Sequence, residues 1–344
     1  MIKKSILVVD DSAVIRRYLV KLLEGAGYDV DIARDGEEAL QKIKEKKYSL
    51  VTLDFEMPRL NGLETLQRVM ECCPTRVLMI SSYTTDSADL TFEALDLGAI
   101  DYIPKPKSSV DIAKISEEIL KKVQSSFLVP VKKMLKKELS EIKQDGYCID
   151  SSIEMGFVLI GASTGGPRLI ERICKSLPAN YPHSVCVVQH MPVDFTANFA
   201  KRLNSLSKVE VLEADNDIEL KPSQVIIAKG GWHLHFRRKL NKFSTKLAPN
   251  TANRFFVPSV DEMFFSAAST LPAKKILAVE LTGIGDDGAD GMVELRKQGA
   301  YTIAESEKTA VVYGMPKEAY ERGGAQKVLD FDDIVEEIIR YGQL

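Results

Sequence analysis

Ser163 stands in Gly161-Ala162-Ser163-Thr164-Gly165-Gly166-Pro167, directly after the apolar run 157–160. Glycines on both sides permit a tight strand-to-helix turn that exposes a hydroxyl, and Pro167 marks the helix start. Such a serine can act as a nucleophile. It can equally cap the next helix, or the turn amides can cradle an anion. A nucleophilic serine needs a base, and the chain has four histidines: His183, His190, His233 and His235. His190 follows the apolar run 185–188 and Gln189, again at the carboxyl end of a strand. His233 and His235 lie two apart on one strand face. As a metal pair they lack a third ligand nearby, so packing or surface roles are the plainer explanation. The base needs an orienting carboxylate, and the run 276–281 leads into Thr282-Gly283-Ile284-Gly285-Asp286-Asp287-Gly288, where one of two aspartates would serve. The order Ser, His, Asp departs from the Ser, Asp, His order of α/β-hydrolases, and no histidine follows His235, so that fold is disfavoured.

A second constellation lies nearer the N-terminus. Asp10 and Asp11 close the first apolar run, Asp54 the third and Ser81 the fourth, and Lys105 follows the fifth. A single acidic residue at a strand end is more often a helix cap than a catalyst. Three carboxylates at one sheet edge form a site for a hard cation such as Mg²⁺, which takes oxygen ligands. A carboxylate beside that ion can attack phosphorus, while Lys105 supplies a cation and Ser81 a hydroxyl to the phosphoryl oxygens.

These residues need scaffolds that bring strand ends together. Over residues 3–122, short apolar runs alternate with helical periodicity five times, which predicts a doubly wound parallel sheet with its ligands at the carboxyl ends. The strand signal vanishes over residues 124–154, rich in Lys, Glu, Ser and Asp, and returns at 157–160, 185–188, 225–228 and 276–281. The fold class is α/β, with two parallel-sheet domains: 1–123, a linker over 124–154, and 155–344. Residues 232–236 add a hairpin. At 344 residues, about two domains of ~100 to 200 residues are expected.

The formal charge of −3 offers no general attraction to nucleic acid, and the one dense basic stretch, 132–143, alternates with Glu, Leu and Met as a solvated helix or linker. Five cysteines without C-x-x-C spacing support neither a disulfide framework nor a zinc site. With no signal-type apolar segment and no run of about 18 apolar residues, the expectation is a cytoplasmic protein without membrane insertion.

Residues 3–122 resemble the two-component receiver family through Val8-Val9-Asp10-Asp11-Ser12, Leu53-Asp54-Phe55-Glu56-Met57-Pro58, Ser81-Ser82 and Lys105-Pro106. The resemblance implies that Asp54 accepts the phosphoryl group from a histidine kinase. It implies that Asp10, Asp11, Asp54 and the Glu56 carbonyl hold Mg²⁺, and that Ser81 and Lys105 contact the phosphoryl group. Tyr102 matches the aromatic whose rotamer accompanies the switch. Residues 155–343 resemble the chemotaxis-type protein-glutamate methylesterases through 161–166, Gln189-His190-Met191-Pro192, Pro258-Ser259-Val260-Asp261, 281–288 and Gly314-Met315-Pro316. By that likeness Asp287, rather than Asp286, orients His190, and backbone amides near Ile284, aided by Thr164, hold the oxyanion.

The implied function is hydrolysis of glutamate methyl esters on methyl-accepting chemotaxis receptors, with glutamine deamidation as a second reaction. The esterase half needs no cofactor, and phosphorylation of a restraining receiver raises turnover. Four positions depart from the family pattern: Ile284 for methionine, Val257 for arginine, Lys229 for proline, and Asp194 or a neighbour for glycine. They motivate an alternative, a degenerate paralogue that serves as a phosphorylation-dependent binding module. A transcriptional regulator would need a helix-turn-helix and a basic face, and neither is visible.

Overall fold

Strands buried on both faces read as unbroken apolar runs, whereas helices between them show one apolar stripe. The computed structural model resolves both patterns. It describes residues 3–81, 85–105, 112–131, 153–193 and 195–341, without the side chains of 81, 85–89 and 112–114. The basic stretch 132–143, Ser82, Pro106, Asp194 and the Ser81 side chain therefore lie outside the described residues. Two compact units are present, Met1–Leu139 and Ser140–Leu344.

In the first unit, β1 (Ser5–Val9), β2 (Asp29–Ala33), β3 (Leu50–Asp54), β4 (Val77–Ser81) and β5 (Asp101–Pro104) alternate with five helices. These are α1 (Ala13–Gly25), α2 (Gly36–Glu45), α3 (Gly62–Cys72), α4 (Thr85–Leu97) and α5 (Ile112–Ser126). The sheet is parallel in the order β2-β1-β3-β4-β5. Each of the first three helices starts on a side-chain cap: Ser12 accepts from the Ile15 N–H, Asp35 from Glu38, and Asn61 from Glu64 in a reciprocal capping box. The order in which strands are added reverses between β1 and β3, so Asp10 and Asp54 flank the crevice of the switch point.

The second unit has a seven-stranded parallel sheet ordered β14-β13-β12-β6-β7-β9-β8. Its strands are β6 (Phe157–Ala162), β7 (Ser184–Gln189), β8 (Glu210–Glu213), β9 (Gln224–Ile227), β12 (Ile276–Glu280), β13 (Tyr301–Glu305) and β14 (Lys327–Leu329). An antiparallel hairpin, β10 (His233–Lys239) with β11 (Lys242–Ala248), stands apart from that sheet. The helices are α6 (Gly166–Ser176), α7 (Thr196–Leu206), α8 (Val260–Thr270), α9 (Ala289–Lys297), α10 (Met315–Glu321) and α11 (Phe331–Tyr341). Leu159, Cys186, Ile226 and Ala278 from the sheet meet Met263, Phe264 and Met292 from α8 and α9 in one buried core. Helix contact is close here: a Cβ on Gly291 would lie 2.6 Å from the Phe264 Cβ. The chain runs one way from β6 through β7 and returns to β12 on the other side, so the crevice opens between β6, β7 and β12. Among the described residues no helix is long and apolar enough to cross a membrane.

Candidate active site

Ser163 and His190 leave neighbouring strands at matched positions, because Ala162 on β6 is in register with Gln189 on β7. The serine backbone is fixed from three sides. Its N–H donates to the Thr282 carbonyl at 2.9 Å, and its carbonyl accepts from the Gly166 N–H at 2.8 Å and from Gln189 Nε2 at 2.9 Å. Gly165 adopts φ +82°, in the left-handed region, and a Cβ there would lie 2.6 Å from the Val311 Cβ, so both conformation and space demand glycine. The serine is buried except for a 4% exposed margin.

His190 Nε2 meets Asp287 Oδ2 at 2.7 Å. With Nε2–H donated to the carboxylate, Nδ1 carries the lone pair, and it is buried without a hydrogen-bond partner among the described residues. The imidazole lies flat on Phe256, ring centroids 3.9 Å apart and planes 11° from parallel. That stack fixes the second degree of freedom of the ring.

Asp287 sits on the N-terminus of α8. Besides His190 it accepts from Ser259 Oγ at 2.7 Å, the Val260 N–H at 2.8 Å and the Asp261 N–H at 3.1 Å. Burial pushes the carboxyl up, but the bond and charge of His190 and the bonds from Ser259 and Val260 outweigh it and hold Asp287 below the ordinary carboxylate value. Asp286 points away and pairs with Arg322 on the surface. The second of the two adjacent aspartates is therefore the one facing His190.

Ser259 in turn is steadied by His233, whose Nδ1 accepts the Ser259 N–H at 3.1 Å, while Nε2 meets Asn250 at 3.2 Å. His235 pairs with Glu262 at 3.1 Å, and burial lowers its affinity for a proton. Neither Phe256 nor this His233–Ser259 support was anticipated from sequence. The motif Pro258-Ser259-Val260-Asp261 was visible, and its Ser before an acidic turn is a helix-start signal.

The loop 282–288 also reaches the serine. A Cβ on Gly283 would lie 2.8 Å from the Ser163 Cβ, and the next amide belongs to Ile284. Among the described residues nothing accepts from that N–H. Thr164 is buried beside Ser163, with its carbonyl held by Thr282 Oγ1 at 2.8 Å. Of the departing positions, Lys229 pairs with Glu213 at 3.8 Å, and Val257 precedes a cis proline.

In the first unit Asp10 and Asp54 are buried and Asp11 is exposed, and oxygen atoms of the three lie within 4.8 Å of one another. Lys105 Nζ stands 2.7 Å from Asp54 Oδ2 and 3.2 Å from Asp10 Oδ2. Burial, then the charge of Asp10, pushes Asp54 up to about 6 against the pull of Lys105. One lysine does not balance three carboxylates, and the oxygen-only donor set suits a small divalent cation. Arg16 fixes the acidic loop by donating to the carbonyls of Asp10 and Asp11. The Glu56 N–H donates to Asp54 Oδ1 at 3.3 Å. Tyr102 is buried on β5, with Lys122 Nζ 5.0 Å from its ring centre.

Both units have counterparts among known proteins. Residues 158–338 match the family model described as CheB methylesterase, and residues 6–117 match that of the response regulator receiver domain. The chain is 42% identical to protein-glutamate methylesterase/protein-glutamine glutaminase 2 of Carboxydothermus hydrogenoformans, covering 98% of this chain and 99% of that protein. It is 41% identical to the enzyme so named in Archaeoglobus fulgidus, with 98% and 97% covered. The crystal structure of the Thermotoga maritima CheB methylesterase catalytic domain superposes with TM-score 0.52 at 40% identity, covering 55% of this chain and 99% of that one. The chain belongs to the CheB methylesterase family, in the form that carries a response regulator receiver domain.

Proposed function

We propose that this protein is a phosphorylation-regulated protein-glutamate methylesterase of chemotaxis receptors, and that it also deamidates receptor glutamines. One observation carries the reading: Asp287 binds His190 Nε2 and the α8 N-terminus together, which leaves Nδ1 without a partner among the described residues, on the strand end that neighbours that of Ser163. Ser163 Oγ attacks the ester carbonyl while His190 Nδ1 takes its proton, and the imidazolium then protonates the departing methanol. Water, deprotonated by the same nitrogen, releases the glutamate and restores the serine. Asp287 orients the ring and balances its charge. The Ile284 N–H, supported by Thr164, donates to the oxyanion. A glutamine side chain follows the same route with ammonia as the leaving group.

The regulatory reading rests on the first unit. Asp54 accepts a phosphoryl group from a histidine kinase, Ser81 and Lys105 hold its oxygens, and Tyr102 changes rotamer. Asp10, Asp11, Asp54 and the Glu56 carbonyl would hold Mg²⁺. When bound, that ion neutralises charge on the transferring phosphoryl group. We assign the receiver to residues 1–123, the linker to 124–154 and the methylesterase domain to 155–344, and place the protein in the cytoplasm.

Methanol release from methylated receptor membranes, measured with and without acetyl phosphate, tests the whole reading. Release that rises with the phosphodonor is expected. Release no greater than that of Ser163→Ala under both conditions would refute it.

A further inference from the structure

Glu280, the last residue of β12, is fully buried, and neither carboxyl oxygen has a hydrogen-bond partner among the described residues. Two glycines keep its slot clear. A Cβ on Gly161 would lie 2.7 Å from Oε1, and one on Gly288 would lie 2.2 Å from Oε2. Gly161 precedes Ser163 by two residues and Gly288 directly follows Asp287, so the carboxyl is wedged beneath both segments of the site. Val260, whose N–H binds Asp287, closes the slot: its Cγ1 would lie 2.4 Å from the first of those Cβ positions and 2.8 Å from the second.

A buried carboxylate without donors is strongly disfavoured, and the more so beside another anion. Asp287 already places a negative charge there and takes the local donors, two α8 amides and Ser259. Asp261 on α8 is the second acid facing the slot, with the Gly291 N–H at 2.8 Å and Arg254 at 3.6 Å as its partners. On β13 the register partner of Glu280 is Ala304, so Glu305 points to the opposite sheet face. On β6 the neighbour is Gly161. Burial, then the charges of Asp287 and Asp261, hold the Glu280 carboxyl well above the ordinary range.

Building on the Ser163–His190–Asp287 reading, we propose that Glu280 is a positioning residue. It is an un-ionised carboxylic acid that lets the Asp287 loop close on His190, and loss of its proton sets the alkaline limit of the reaction. Once hydroxide removes that proton, two carboxylates share a largely buried slot. Water must enter to solvate them, and the loop carrying Asp287 opens. Activity therefore falls as pH rises.

Glu280→Gln keeps the shape and cannot ionise. In the full chain with Mg²⁺ and acetyl phosphate, labelling of Ser163 by a fluorophosphonate is followed from neutral to alkaline pH. Ser163→Ala labelling is subtracted and each protein is normalised to its own maximum. The alkaline fall of the wild type should move upward by about one pH unit or more in Glu280→Gln, tenfold in hydroxide. Superimposable profiles overturn the proposal. Infrared titration of the wild type with ¹³C-labelled glutamate depends neither on the variant folding nor on the hydrolase reading. A protonated glutamate band should persist at neutral pH and vanish over the interval in which labelling falls. A band already absent at neutral pH, or one that outlasts the loss of labelling, also overturns the proposal. Absence of labelling at every pH condemns the triad reading instead, while the band still reports whether Glu280 is held as the acid.

Discussion

Asp287 joins His190 to the first turn of α8: one carboxylate oxygen takes both the imidazole Nε2 at 2.7 Å and the Val260 amide at 2.8 Å. The orientation of the base is thereby tied to a helix whose far side is core. Asp287→Ala should lower methanol release by about 10⁴. Asp286→Ala, which removes only an exposed pair with Arg322, should cost less than about 1 kcal/mol of stability and leave turnover within a few-fold. Equal losses in the two variants would show the wrong aspartate has been chosen.

Ser163→Ala should abolish ester hydrolysis, by about 10⁴ to 10⁶ in turnover, and leave the circular dichroism spectrum and melting temperature close to wild type. Its backbone makes the structural bonds, and those survive the change. Turnover within tenfold of wild type removes the serine from the mechanism.

Ser259→Ala should show two separable deficits. Loss of the cap on Glu262 costs about 1 kcal/mol of stability. Loss of the bond to Asp287 costs ~1.5–3 kcal/mol of transition-state stabilisation, about 10- to 150-fold in turnover. Parallel denaturation and kinetic measurements check both; a stability change with wild-type turnover means that the bond to Asp287 is dispensable.

What was readable in advance follows from sheet geometry. Asp54 ends a strand buried on both faces and Asp10, Ser163, His190 and Asp287 follow such strands, which announce themselves as continuous apolar runs. Edge strands β8 (Glu210–Glu213) and β14 (Lys327–Leu329) are short and half exposed, so their charged residues mask them. Strand β13 hides for another reason: Thr302 and Glu305 are polar yet fully buried, Thr302 donating to the Gly324 carbonyl and Glu305 Oε2 accepting from the Thr282 N–H. Phe256 lies in a loop with no periodicity, and only the fold brings it 66 positions back onto His190. Ser259 announced a helix start, but nothing local says that the start receives a carboxylate from 28 positions away.

Asp54→Asn should hold methanol release at the low level under acetyl phosphate and Mg²⁺. If the receiver restrains the hydrolase as the family resemblance implies, deleting residues 1 to about 140 should raise release without any phosphodonor. If neither change affects release, the receiver does not restrain the hydrolase and serves to localise it.

Acid should reach the second unit through Asp287. Its folded value lies below the ordinary 3.8, so its contribution to stability is full above 3.8 and is lost as pH falls through the folded value. Urea unfolding followed across this acid range should show a steeper decline for wild type than for Asp287→Asn. Matching slopes would mean that the four donors do not favour the ionised form.

The sheet order β14-β13-β12-β6-β7-β9-β8 has a consequence during synthesis. Strands β6 and β7 leave the ribosome first and bring the serine and histidine with them, but the aspartate lies 97 positions beyond His190. At about 5–20 residues per second, roughly 5 to 20 s pass between them. Throughout that interval a nascent chain carries a serine and an imidazole without the carboxylate that orients and balances the ring, so it is hydrolytically inert while still attached. The order of the strands delays the chemistry until the central sheet can close.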